Sequence, residues 1–138
     1  MELDDAYAIT AHTPNAEAIL AGIVEQSATF RAECGDRAHF ALPYGDTPRQ
    51  VFDLFLPPGE TKGTMVFIHG GYWHSQDRFN FSHLAAGALA HGWSVAMPSY
   101  DLCPDVAIAD ITRQVAQAVK TVADRTSGPI SITGHSAG

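Results

Sequence analysis

Five residues, Gly134-His135-Ser136-Ala137-Gly138, have the types and spacing that make a serine a nucleophile. In a G-x-S-x-G run that leaves a buried strand, the chain reverses sharply and the flanking glycines leave the serine hydroxyl standing clear. A serine so placed attacks a carbonyl carbon, and the tetrahedral intermediate carries a negative oxygen. That oxygen needs two or more backbone amides aimed at one point about 3 Å away. The segment "HGGYW", His69 to Trp73, suits this task, because a Gly-Gly pair lets the backbone approach and turn its amides inward. Gly70, Gly71 and Ala137 are therefore the expected oxyanion donors, with the Tyr72 amide as a further one. The pentapeptide alone reads equally well as a plain Gly-rich turn. A second motif with a complementary job, placed upstream of the serine, favours the catalytic reading of Ser136.

The neighbouring residues have narrower readings. Tyr72 and Trp73 serve either as loop packing or as a wall for an aromatic or acyl substrate, with the Tyr72 hydroxyl as a hydrogen-bond donor. His69 and His74 are five residues apart with no third ligand at a supportive spacing, so no metal site is expected. His69 is expected to brace the glycine loop through its ring nitrogens. His135 adjoins the serine, but side chains on such a turn diverge, and it is a poor base. His12, His39, His83 and His91 read as surface or satisfied structural residues. Asp101, in "YDLCP", is expected to hold a loop through hydrogen bonds, with substrate contact as the lesser reading. Cys103, immediately before a proline and outside any sharp turn, is not expected to be a nucleophile.

These groups need a sheet edge to hold them. "TMVFIHG", "WSVAMPSY" and "PISIT" are short apolar runs of the kind that form parallel strands buried on both faces. Between them, a helix with Ser82 as a cap would turn Leu84, Ala88 and Leu89 inward before Gly92 ends it. A longer helix, roughly 105–126, carries Ile108, Ile111, Val115, Val119 and Val122 at helical spacing. Alternation of strand and helix implies right-handed crossovers onto one sheet whose C-terminal edge binds ligands. Upstream, "RAHFALPYGDTPRQVFDLFLP" reads as an antiparallel hairpin at the sheet's edge. Before it, a helix capped around Thr13-Pro14-Asn15 would bury Ile19, Ile23 and Phe30 and end at Gly35. The fold class is α/β: a mainly parallel sheet, wound on both faces by helices, with an N-terminal antiparallel hairpin.

Composition narrows the partners. The 138 residues carry a formal charge of −7 with eight scattered Lys and Arg, which disfavours nucleic acid and anionic membrane surfaces. There is no apolar run of about 18 residues and no basic-then-apolar leader, so a cytoplasmic protein is expected. Two cysteines, Cys34 and Cys103, make no disulfide framework.

The ordered set "HGGYW", "YDLCP" and "GHSAG" resembles the α/β-hydrolase superfamily, on the branch of hormone-sensitive-lipase-like esterases. Within it, "HGGYW" and the preceding "PRQVFDLFLP" are most similar to kynurenine formamidases (arylformamidases). The resemblance runs from about Pro48 to Gly138. It implies a serine hydrolase acting on a small ester or an N-formyl aryl amide, with Ser136 as nucleophile, Gly70, Gly71 and Ala137 as oxyanion hole, and no cofactor. A short-chain carboxylesterase and a non-catalytic ligand-binding protein are the alternatives. In this superfamily the triad acid and histidine follow the nucleophile. Residues 1–138 are accordingly expected to be the N-terminal part of a single α/β-hydrolase domain, inactive alone, with its last strand an uncovered edge. No oligomeric state is implied.

Overall fold

The computed structural model describes residues 3–138. Two short helical turns, α1 (Leu3–Ala6) and α2 (Ile9–His12), lead into the 19-residue helix α3 (Ala16–Cys34). The expected cap is not made. Asn15 is left-handed (φ 59°) without a side-chain bond to the helix, and the Thr13 hydroxyl donates back to the Ile9 carbonyl at 2.7 Å. Thr13 therefore closes α2 rather than opening α3. Gly35, at φ 53°, ends α3 as expected.

Strands β1 (Ala38–Pro43) and β2 (Val51–Phe55) form the antiparallel hairpin, with a register shift between His39 and Leu42. Then come β3 (Thr64–Ile68), two 3₁₀ turns (Arg78–Asn80 and Ser82–Ala85), the short helix α4 (Ala86–Ala90), β4 (Ser94–Pro98), α5 (Ile108–Arg125) and β5 (Ile130–Gly134). The strand order is β1-β2-β4-β3-β5. β4, β3 and β5 are parallel, while β2 joins them antiparallel through β4. Parallel pairing is thus confined to the three apolar runs identified from sequence. β5 forms the exposed edge at the opposite side from the hairpin, and Ile132 on it is 59% exposed.

Two apolar clusters lie on opposite faces, so the sheet is wound on both sides. Phe52, Val66, Ile68 and Ala96 pack with Ile111, Ala118 and Val122 of α5. Phe55, Phe67, Val95 and Met97 pack with Cys34 of α3 and with Ala85 and Leu89. Adjacent residues of β3 and β4 feed different clusters, which explains their unbroken apolar runs. Two helix faces differ from expectation. The segment after Ser82 begins as a 3₁₀ turn with three residues per turn, so Ser82 and Ala85 turn inward and Leu84 is exposed. On α3, Ile19 is exposed and Ser27 is buried. The Ser27 hydroxyl donates to the Phe79 carbonyl (2.6 Å) and accepts from the Ser82 amide (2.7 Å), a backbone approach that only a small residue permits. In α5, which starts at Ile108 rather than near Asp105, Ile108 itself is exposed. No helix among the described residues is long and apolar enough to cross a membrane.

One charged residue lies inside. Asp53 of β2 is fully buried; it accepts from Arg31 of α3 (2.5 Å), from Arg78 Nε (2.9 Å) and from the Ala41 amide at the β1 irregularity (2.8 Å). Removing the carboxylate leaves two guanidinium groups and a backbone amide without their partner. Asp53→Ala is therefore expected to cost about 3–5 kcal/mol, against under about 1 kcal/mol for Asp124→Ala, which breaks only the exposed Lys120 pair. Urea midpoints at constant m-value check both, and equal costs would contradict the assignment.

Candidate active site

The end of β3 and the turn after β5 come together because the two strands pair in parallel, with Ile68 opposite Gly134. The His135 amide extends that ladder by donating to the Ile68 carbonyl at 3.1 Å, and the Gly138 amide closes the turn on the His135 carbonyl at 3.0 Å. Ser136 sits between them with φ 58°, a left-handed conformation that L-residues other than glycine, asparagine and aspartate rarely adopt. It is exposed. No side chain among the described residues hydrogen-bonds its hydroxyl.

The glycine loop lies directly against this turn. A Cβ on Gly70 would stand 2.6 Å from the His135 carbonyl oxygen, 2.8 Å from Ser136 Cβ and 3.3 Å from the Ala137 nitrogen. Only a residue without a side chain fits there. Gly71 is at φ 118°, and its carbonyl accepts from the His74 amide (3.1 Å), the Ser75 amide (3.0 Å) and the Ser75 hydroxyl (2.9 Å). The amides of Gly70, Gly71, Tyr72 and Ala137 donate to no acceptor among the described residues. Of these, Gly70 is packed directly on Ser136 and Ala137, so two free amides belong to the backbone that meets at the unbonded hydroxyl.

The two aromatic residues separate. Trp73 packs against the cluster containing Ile111 and borders a groove of about 290 Å³ with Ala137 and Gly138. Tyr72 is 53% exposed and stacks on the His74 ring at 6.1 Å. The expected wall thus divides into a packed residue and an open one. Both are left-handed, at φ 52° for Tyr72 and 60° for Trp73.

His69 is buried between the rings of Tyr100 (4.3 Å) and Phe81 (6.2 Å). Its Nδ1 donates to the Gly70 carbonyl at 2.7 Å, so the loop is braced from within, and Nε2 has no partner. The Tyr100 hydroxyl donates to the His69 carbonyl at 2.6 Å. Burial holds the His69 imidazole below its ordinary pKa, against an opposing contribution from the Gly70 hydrogen bond. Burial likewise pushes the Tyr100 phenol up to about 12.

Asp101 accepts from Thr47 (2.8 Å) and Gln114 (2.9 Å) and so fastens a loop, as expected. Contrary to expectation, His83 leaves Nδ1 buried without a partner. Cys34 and Cys103 are free thiols. Among the described residues, no three His, Cys, Asp or Glu side chains are grouped to hold a metal.

Sequence reasoning passed over the support behind the loop. Arg49 donates to the carbonyls of Tyr100 (2.6 Å) and Gln76 (2.9 Å) and pairs with Asp77 at 2.7 Å. Asp77 also accepts from Arg78 and Ser99. One signal was available: an aspartate inside the apolar run "VFDLF".

Five strands in this order, helices on both faces and a serine turn at the parallel edge are the α/β-hydrolase fold of the esterases. A hyperthermophilic esterase from Pyrobaculum calidifontis matches the fold with a TM-score of 0.64 at 22% identity, over 88% of this chain and 44% of its own. A proposed thioesterase from Silicibacter sp. TM1040 matches over the whole of this chain and 53% of its own, with a TM-score of 0.95 at 51% identity. Kynurenine formamidases are distant homologues: that of Drosophila melanogaster is 31% identical over 103 residues, 70% of this chain and 34% of its own length. The chain therefore spans about a third of that curated relative and about half of the Silicibacter structure. No protein-family model matches the chain.

Two outcomes follow from this geometry. Gly70→Ala must displace backbone atoms, so a loss of about 1–3 kcal/mol is expected, with faster exchange at the hydrogen-bonded amides of His135 and Gly138 and unchanged exchange in β2. Exchange unchanged at the turn would show that Gly70 does not hold it. For His69, the folded-state pKa lies below the unfolded value near 6.5. Its neutral form therefore stabilises the fold above pH 6.5, and this is lost as pH falls toward the folded value. His69→Gln should flatten the pH dependence of stability below pH 6.5 by up to about 1.4 kcal/mol per pH unit, measured by urea unfolding across that range.

Proposed function

We propose that the protein containing this chain is a serine hydrolase that cleaves a small carboxylic ester or an N-formyl aryl amide through an acyl-enzyme. The observation that carries this reading is the approach of Gly70 to the Ser136–Ala137 turn, where the Gly70 and Ala137 amides have no acceptor and the Ser136 hydroxyl has no partner. In it, Ser136 Oγ attacks the carbonyl carbon as a base takes its proton. The carbonyl oxygen becomes negative and accepts from the amides of Gly70, Gly71 and Ala137. The tetrahedral species then collapses, the alcohol or aryl amine leaves with a proton, and water cleaves the acyl-serine. His69 is set apart from the role of base by its burial against Phe81 and Tyr100, with no hydrogen bond between its unpartnered Nε2 and Ser136. The expected triad order of nucleophile, acid, histidine assigns neither partner to a residue before Ser136.

The N-formyl amide class is supported by homology to kynurenine formamidases. A second reading, cleavage of short-chain esters or thioesters, is supported by the 51% identical Silicibacter protein, a proposed thioesterase. Both use the same serine. In the protein containing this chain, labelling by a fluorophosphonate should require Ser136, and Ser136→Ala should lower kcat by on the order of 10⁶. Equal labelling of the variant would remove Ser136 from the mechanism. Comparing kcat/KM on N-formylkynurenine, a p-nitrophenyl ester and an acyl thioester then decides between the two readings.

A further inference from the structure

The ion-pair chain behind the glycine loop contains one arginine that also grips the backbone. Arg49, in the turn before β2, donates from Nε to the Tyr100 carbonyl at 2.6 Å and from Nη2 to the Gln76 carbonyl at 2.9 Å. Its Nη1 pairs with Asp77 at 2.7 Å. Arg31 and Arg78, by contrast, bond only to carboxylates and serine hydroxyls through their side chains. All three Arg49 nitrogens are thus engaged within the protein. They spread across the planar fork that distinguishes a guanidinium from an ammonium.

The two carbonyls serve opposite ends of the loop. Gln76 lies where the loop leaves, with a left-handed backbone at φ 72°. It packs on Gly71, where an added Cβ would stand 2.9 Å from Gln76 Cγ. Tyr100 serves the end where the loop begins. Its buried ring stacks on the His69 ring at 4.3 Å, and its hydroxyl donates to the His69 carbonyl at 2.6 Å. That carbonyl shares one peptide plane with the Gly70 N–H, in a trans unit whose N–H points opposite to its oxygen. Holding the oxygen therefore aims the amide. The Gly70 amide has no acceptor, and Gly70 packs on Ser136. Contacts run from Arg49 through Tyr100 and His69 to Gly70, while Arg49 itself has no hydrogen bond to the serine turn.

We infer that Arg49 is a positioning residue for the reaction. By clamping Gln76 and Tyr100 it holds both ends of the glycine loop and, through the Tyr100 hydroxyl, aims the Gly70 amide at the developing oxyanion. This rests on the reading of Ser136 as the nucleophile. An amide that turns off its axis still lets substrate enter, but it stabilises the charged transition state less. The clamp therefore acts on kcat and leaves KM nearly untouched. Lysine cannot replace it, because a single ammonium does not span two carbonyls and a carboxylate.

A double-variant cycle in the protein containing this chain tests the clamp, with p-nitrophenyl acetate as substrate and kcat expressed per fluorophosphonate-titrated site. Arg49→Lys and Tyr100→Phe should each lower kcat about tenfold, less than the loss of a whole donor, with KM within about twofold. Because both act through one peptide plane, the double variant should lose about tenfold rather than about a hundredfold. Val122→Ala, which loosens the α5 cluster away from the clamp, should leave kcat per titrated site unchanged. The amide cross-peak of Gly70 in the proton–nitrogen spectrum should also move in Arg49→Lys. Additive losses, a change confined to KM, or an equal loss in Val122→Ala would overturn the clamp. So would an unmoved Gly70 cross-peak. Failure of the Ser136 reading shows separately, as undiminished hydrolysis by Ser136→Ala while the Gly70 cross-peak still responds to Arg49→Lys.

Discussion

Two stretches of backbone, one leaving β3 and one leaving β5, touch at Gly70 with no side chain between them, and the rest of the sheet edge depends on that contact. It requires the parallel pairing that sets Ile68 opposite Gly134. It also requires Gly134 and Gly138 to close on one another, since a Cβ on Gly134 would collide with the Gly138 carbonyl. A parallel pair lacks a hairpin to fix its register. That register is held instead by the apolar residues of β3, which alternate between the two faces and the two clusters. The position of Ser136 is thus a long-range consequence of where Val66, Phe67 and Ile68 are buried.

Behind the loop, charge does what apolar packing cannot. Arg31, Asp53, Arg78, Asp77 and Arg49 form a connected chain of ion pairs from α3 through β2 to the segment after the glycines. Desolvating such groups is costly, and a buried ion pair is weak evidence of stability. What these pairs supply is direction. Asp53 satisfies an amide that the β1 irregularity strands, and Arg49 ties the Tyr100 and Gln76 carbonyls to one point. Apolar side chains of similar volume would fill the same space without selecting one path for the loop.

The sheet and the serine turn were legible because both rest on backbone rules. Unbroken apolar runs mark strands buried on two faces, and paired glycines mark close approach. The helix faces were less legible. Ile19 and Leu84 were expected inside on periodicity, yet both are exposed, while Ser27 and Ala85 are buried. A hydrogen bond from Ser27 to the Phe79 backbone sets one face, and a 3₁₀ turn shifts the other by a residue. Neither leaves a mark in hydrophobic spacing. The ion-pair chain was missed for a related reason, since its five members are scattered from residue 31 to residue 78 and only the fold assembles them.

The fate of Tyr72 and Trp73 shows how the loop divides its labour. Two consecutive side chains with left-handed backbones leave the loop in different directions, one into the cluster with Ile111 and one toward α2. Trp73 anchors, and its carbonyl also accepts from the Cys103 amide at 2.8 Å, joining the loop to the segment after β4. With one ring packed against the core and the Gly71 carbonyl held by three donors, the loop has little freedom left. Tyr72 can then stay exposed and strained without relaxing into the surface. The exposed Tyr72 ring is therefore held by the anchoring of its neighbours, Trp73 through packing and the Cys103 amide, and Gly71 through its three carbonyl hydrogen bonds.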